Sequence, residues 1–239
     1  MTGSRHAGQR AGAGPAPGPA PDPAPMGPEG ERDPAGPALA DADERWQVLD
    51  SELRTRSHVV ALRTDLVLMP DGTSAERDVV VHPGAVGIVA LDDDDRVLMI
   101  RQYRHPVARM LWEIPAGLRD VEGEPISVTA ERELLEETGY RARDWRVLVD
   151  YFSSPGMTNE RLRVYLARGL SEIGHAERGF VPEHEEAHLL LAWVPLDRAV
   201  ELFLAGDLHN GVAAVGILSA YAARRDGFAG LRPVDAPER

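Results

Sequence analysis

The chain has 239 residues, a formal net charge of −13, no cysteine and no lysine, so all 26 basic residues are arginine. That balance repels nucleic-acid backbones and anionic membranes, and it excludes a disulfide framework, a thiolate nucleophile, a Schiff-base lysine and a P-loop lysine. A phosphate-bearing substrate stays open, provided a divalent cation bridges it to an acidic protein.

An apolar share of 43% beside 27% charged residues is that of a soluble globular protein. No stretch approaches the roughly 18 apolar residues of a membrane span. The N-terminus lacks the apolar run of a secretory leader, so a cytoplasmic location is expected.

In chain order, residues 1–41 alternate Pro with Ala and Gly ("AGAGPAPGPAPDPAPMGPEGERDPAGPALA"). Such a segment buries nothing and favours solvated, extended chain; a disordered tail is expected, with docking to a polyproline-binding partner as the functional alternative. Residues 44–82 are expected to form a small antiparallel β-domain, with strands in "SHVVALRTDLVLMPDG" and "ERDVVVHPG" around a turn at Asp71-Gly72. Residues 83–227 form the main domain. Its first segment, "GAVGIVALDDDDRVLMIRQYR", reads as two strands joined at Asp92–Asp95. That acidic run suits a solvated hairpin tip better than a metal site. "LWEIPAG" is a short strand entering a Pro-Ala-Gly loop. A helix is predicted over Pro125–Thr138, then strands near Trp145–Phe152, Arg161–Arg168 and His188–Val194. Helices near Leu196–Ala205 and Gly211–Arg225 follow, and residues 228–239 are expected to be loose. Many strands with few helices imply an α+β fold, with helices packed on a mixed sheet.

The helix over Pro125–Thr138 carries an unusual charge pattern. Pro125 suits its first turn and Gly139 the position past its end. Glu133, Glu136 and Glu137 then fall within about 100° of arc, while Val128 and Leu135 fall opposite and are expected to face the core, with Leu134 between. Carboxylates so spaced repel one another and sit near the negative end of the macrodipole. Two readings account for them. One is a solvated acidic face. The other is a set of hard oxygen ligands for Mg²⁺ or Mn²⁺, oriented by Arg132.

The flanking spacing bears on that choice. Gly117, Glu124, Arg132, Glu133, Glu136, Glu137 and Gly139 together resemble the Nudix box: Gly, five residues, Glu, seven residues, Arg-Glu, an aliphatic residue, any residue, Glu-Glu, any residue, Gly and an apolar position. All its charged positions are matched. Six residues rather than five separate Gly117 from Glu124, an addition expected to bulge the "RDVEG" loop without moving the helix register; Tyr140 fills the apolar slot. Outside the box, three features resemble the ADP-ribose pyrophosphatase branch of that family. Pro155 lies sixteen residues after Gly139 in "YFSSPGMTNE", "IRQYRHPVARMLWEIPAG" leads into the box, and "EHEEAH" precedes "WVPLDRA". The likeness runs from about Leu53 to Tyr221.

The resemblance implies a Nudix α/β/α sandwich with a mixed sheet, preceded by the small N-terminal antiparallel β-domain. It also implies a homodimer in which strands of Ser57–Val81 exchange. The implied reaction is Mg²⁺-dependent hydrolysis (Mn²⁺ possible) of the pyrophosphate bond of ADP-ribose, giving AMP and ribose 5-phosphate. Another nucleoside diphosphate derivative, such as a nucleotide sugar or a dinucleotide, is the alternative substrate, and a non-catalytic ligand sensor the alternative role. Neither nucleic acid nor membrane is an expected partner. By family match the metal ligands are Glu133, Glu136, Glu137 and the backbone carbonyl of Ala116. Arg104 binds phosphate, and Glu113, Pro155 and Glu160 complete the substrate-binding set. Arg101 is expected on the other face of its strand from Ile100 and Gln102. The general base comes from the acidic loop: Glu185, with Glu183 and Glu186 as rivals. Where relatives stack adenine on an aromatic residue this chain offers Val60 or Leu66, with Trp112 and Tyr103 as substitutes.

Overall fold

In the computed structural model, residues 40–173 and 189–238 are described. The expectations for residues 1–39 and for Glu183, Glu185 and Glu186 lie outside them. The elements described below belong to one compact unit, Trp46–Arg239.

Its first sheet is antiparallel, with β1 (Val48–Arg56), β2 (Ala61–Leu68) and β3 (Ser74–Val81) in that order. The β2–β3 turn falls at Asp71-Gly72 as predicted. Asp71 accepts from both the backbone N–H (2.9 Å) and the hydroxyl (2.7 Å) of Thr73, the local capping that makes Asp a turn residue. β1 had no signal in the sequence because all nine of its residues are exposed. A strand without a buried face shows no alternation of apolar and polar residues.

The site is carried by two further sheets. β4 (Ala85–Ala90) is buried along its whole length. It pairs in parallel with β10 (Arg161–Arg168) and antiparallel with β7 (Ala116–Leu118), while β10 continues antiparallel to β9 (Asp144–Phe152). The other sheet has the order β12 (Leu190–Pro195), β5 (Arg96–Arg104), β6 (Arg109–Glu113). A two-stranded pair, β8 (Tyr140–Arg141) with β11 (Ser171–Glu172), lies beyond the first helix.

Successive residues of β4 point to opposite faces, and each face meets helix. Val86, Ile88 and Ala90 pack with Ala130 and Leu134 of α1 (Ile126–Thr138). Val89 and Leu91 pack with α2 (Leu196–Ala205) and α3 (Gly211–Ala223), through Leu196, Val200 and Ile217. A strand covered on both faces reads as an unbroken apolar run, as "AVGIVA" does. The result is an α/β/α sandwich. Each fully buried Leu or Ile of these layers stabilises the fold by about 1.5–3 kcal/mol relative to exposure.

Two expectations are corrected. The core face of α1 is Thr129, Ala130, Leu134 and Thr138; Val128 is 43% exposed and Leu135 only half-buried. The acidic edge does not point away from the protein but is tucked against β7. The helix is therefore rolled, and its apolar contact is centred on Leu134. The second correction concerns the residues after Gly227, which are anchored rather than loose. β13 (Arg232–Pro233) pairs with Val147 and Arg146 of β9. Asp150 accepts from Arg163 (2.7 and 2.9 Å) and Arg232 (2.9 Å), and Arg163 donates to the Ala236 carbonyl at 2.7 Å.

Candidate active site

The site begins where β7 feeds α1. The backbone N–H of Ala116 donates to Glu137 Oε2 at 2.9 Å, tying the last turn of α1 to the strand before it. Gly117 lies directly against Glu133. A Cβ there would stand 2.0 Å from Glu133 Cδ, so any larger residue evicts the carboxylate. The motif glycine is thus a matter of close approach. The extra residue between Gly117 and Glu124 is taken up in a turn: Glu124 N–H donates to the Val121 carbonyl (3.2 Å), with Gly123 at φ 78°. Such a φ suits glycine. The helix register is undisturbed, because Glu124 still reaches Thr129 (2.8 Å) and Arg132 (3.4 Å).

Arg132 is the hub of the acidic face. Its Nη1 donates to Glu133 Oε1 (2.8 Å) and Glu136 Oε2 (2.9 Å), and its Nη2 to Glu124 Oε2. Burial pushes the Glu133 carboxyl above its ordinary value, against the opposing pull of Arg132. Glu124 is shifted downward, chiefly by the Thr129 hydroxyl. Arg132 is raised, because its three carboxylate partners outweigh its own desolvation.

Arg104 stands at the end of β5. Its Nε and Nη2 donate to the two oxygens of Glu113, at 2.9 and 2.6 Å. The Glu113 side chain is 2% exposed and that of Arg104 42% exposed. A fork held by a buried carboxylate presents its guanidinium in one fixed direction. Arg104 lines a cleft of about 420 Å³ whose walls also include Ala116, Gly117, Glu160, His82 and Asn210. Glu160 meets the Ser153 hydroxyl and lies 3.6 Å from His82 Nε2.

The structure therefore brings Arg104, Ala116, Gly117 and Glu160 to one cleft, with Glu133 and Glu137 packed behind its Ala116–Gly117 wall. Glu113 reaches the cleft only through Arg104. Pro155 lines a different depression, of about 430 Å³, with Phe152 and Met157. Arg101 lies with its guanidinium 5.9 Å from the Trp112 ring, and Trp112 packs against the core. Tyr103 is 41% exposed beside His105, and Val60 is exposed while Leu66 is half-buried. Sequence reasoning missed His82 and Asn210. Asn210 had a legible signal as the N-cap of α3, accepting from Ala213 N–H at 2.8 Å. His82 had none, because only the approach of β3 to the segment before β10 sets it beside Glu160.

The donor set fits a hard divalent cation in its chemistry: three carboxylates and a carbonyl along one edge, one carboxyl buried and raised, and a glycine that leaves it room. Among the described residues, no three acidic or imidazole groups are already gathered closely enough to hold an ion. Arg132 spans Glu133 and Glu136, and a cation would exchange with those contacts.

The chain is similar to several known proteins. The family model described as NUDIX domain matches residues 81–214. An ADP-ribose pyrophosphatase of Mycobacterium tuberculosis (strain ATCC 25618 / H37Rv) is 45% identical over 194 residues, covering 81% of this chain and 91% of that one. An ADP-ribose pyrophosphatase of Bacillus subtilis (strain 168) is 35% identical over 159 residues, covering 66% and 83%. A solved structure described as an ADP compounds hydrolase superposes with a TM-score of 0.66 at 21% identity, covering 79% of this chain and 99% of that one; that likeness carries the fold alone.

Proposed function

This chain belongs to the Nudix family, and from that premise we propose that it hydrolyses the pyrophosphate bond of ADP-ribose to AMP and ribose 5-phosphate. The observation that carries the reading is the cleft itself: a carboxylate-fixed arginine faces the β7–α1 junction where the acidic edge of the helix is held. The relatives at 45% and 35% identity, both named ADP-ribose pyrophosphatase, support the same substrate.

Nudix hydrolases work with divalent metal ions, and here Mg²⁺, or Mn²⁺ in its place, would be held by Glu133, Glu136, Glu137 and the Ala116 carbonyl. When bound, the ion supplies charge neutralisation of the diphosphate and acidification of a water. The protein's own groups do the rest. Arg104 binds a phosphate oxygen pair and keeps its aim through Glu113. Ala116 N–H holds Glu137 in place. Glu160 lines the same cleft, where its carboxylate can accept from a ribose hydroxyl. The proton of the attacking water goes to Glu185, with Glu183 and Glu186 of the same acidic sequence run as the alternatives. A Glu185→Gln enzyme should lose turnover while retaining Mn²⁺ affinity, measured by calorimetry beside steady-state rates; full turnover would move the base to another residue.

The same reading includes a homodimer, whose pairing edge we place on β1, ahead of the Ser57–Val81 strands expected to exchange. Edge strand β1 exposes Val48 (51%) and Leu53 (54%), with Trp46 (46%) just before it. An exposed edge strand with apolar side chains invites pairing with another chain. A cytoplasmic location belongs to the reading too; among the described residues no helix is long and apolar enough to cross a membrane. The deciding assay is phosphate release from a panel of nucleoside diphosphate derivatives, with titrated Mg²⁺ and a coupled phosphatase. ADP-ribose should rank first. A higher kcat/KM for a nucleotide sugar or a dinucleotide would overturn the assignment.

A further inference from the structure

The anchored C-terminal segment packs on the loop that joins β7 to α1, between the Ala116 and Glu133–Glu137 ends of the proposed metal site. Arg119 is the first residue after β7, two positions beyond Gly117, and its backbone N–H donates to the Gly84 carbonyl at 3.1 Å. Its guanidinium grips Glu238 with both Nη atoms, at 2.9 Å to Oε1 and 3.4 Å to Oε2. The same Oε1 lies 3.6 Å from Nε of Arg161, which directly follows Glu160 on the cleft wall. All three side chains are mostly covered, between 22% and 27% exposed. Glu238 is delivered there by an inner clamp: Asp150 fixes Arg232, and Arg163 fixes the Ala236 carbonyl two residues upstream. Arg163 and Asp150 are themselves only 3% and 5% exposed, so the clamp is rigid.

We propose that Glu238 is a positioning residue for the β7–α1 loop, holding Arg119 so that Ala116 and Gly117 keep their places against Glu137 and Glu133. The proposal rests on the metal-site reading above. The loop needs such a hold because it carries one residue more than the motif allows, and a longer connection between strand and helix has more conformations to lose. A partly covered arginine–carboxylate fork, anchored at its far end, restricts that freedom without occupying the cleft.

The test uses the full chain with Glu238→Ala, Arg119→Glu, and the charge-exchanged double variant Arg119→Glu/Glu238→Arg. Calorimetric Mn²⁺ titration reads the ligand set, and amide hydrogen exchange over residues 117–123 reads the loop. Each single variant should bind Mn²⁺ about three- to fivefold more weakly, the scale of one partly exposed ion pair. Exchange in the loop should rise, and the double variant should recover most of both. Unchanged Mn²⁺ affinity in Glu238→Ala, or a double variant no better than the singles, would overturn the proposal. A wild-type chain that bound no Mn²⁺ would instead sink the metal reading, and the exchange data would still decide whether Glu238 holds the loop.

Discussion

Gly117 and Glu137 show how single residues set the site. Gly117 leaves the space that Glu133 fills, since a Cβ would stand 2.0 Å from Glu133 Cδ. Gly117→Ala should turn that carboxylate away and weaken Mn²⁺ binding by about 10–100-fold, the usual cost of disturbing a ligand's support. Calorimetry measures it, and a melting curve should move little because the displaced group is a flexible side chain. Glu137→Gln keeps a carbonyl oxygen to accept from Ala116 N–H, so its fold should persist by circular dichroism. Its turnover should nevertheless fall on the order of a thousandfold; near-wild-type rates would remove Glu137 from the ligand set. The motif spacing alone named both residues. What it could not show is that the Ala116 amide holds Glu137 in place before any ion arrives, because that contact depends on where β7 lies.

At the scale of elements, β9, β10 and β13 are bound together by one buried ionic network. Burial works to raise the Asp150 carboxyl, but hydrogen bonds and charge from Arg163 and Arg232 outweigh it and hold the group below its ordinary 3.8. A carboxyl lowered in the folded state stabilises the fold above its unfolded value. That contribution is lost as pH falls from about 4 through the lower folded value. Asp150→Asn leaves Arg163 buried without its counter-ion and should cost about 3–5 kcal/mol at neutral pH. It should also flatten the loss of stability below about pH 4. Urea unfolding at neutral pH and across the acid range tests both, and an unchanged acid limb would exclude Asp150 as its source. Elements whose signal is local were legible: α2 spans the Leu196–Ala205 read from the sequence, β10 spans Arg161–Arg168, and α1 starts one residue after Pro125. The roll of α1 was not. Helical periodicity gives the angle between residues but not which edge the sheet covers, and packing Glu133 on Gly117 turned the core contact from Val128 and Leu135 to Leu134.

For the whole molecule, the exposed β1 edge carries the proposed dimer. Leu53→Glu places a charge on the apolar edge without touching the core, since every residue of β1 is exposed. Sedimentation at micromolar concentration should show a dimer for the wild type and a monomer, with unchanged secondary structure, for the variant. A monomeric wild type would end the dimer reading.

What the sequence determined by itself is the chemistry. The order and spacing of Gly117, Glu124, Arg132, Glu133, Glu136 and Glu137 are covalent facts, and helix geometry turns Glu133, Glu136 and Glu137 into one acidic edge. Only the tertiary structure decided which way that edge faces, that Glu113 aims Arg104, that His82 and Asn210 share its cleft, and that residues beyond Gly227 return to grip the loop after β7. Those arrangements join residues far apart in the chain, from Arg104 with Glu113 to Arg119 with Glu238. They are set by which surfaces bury one another, and no local pattern records that choice.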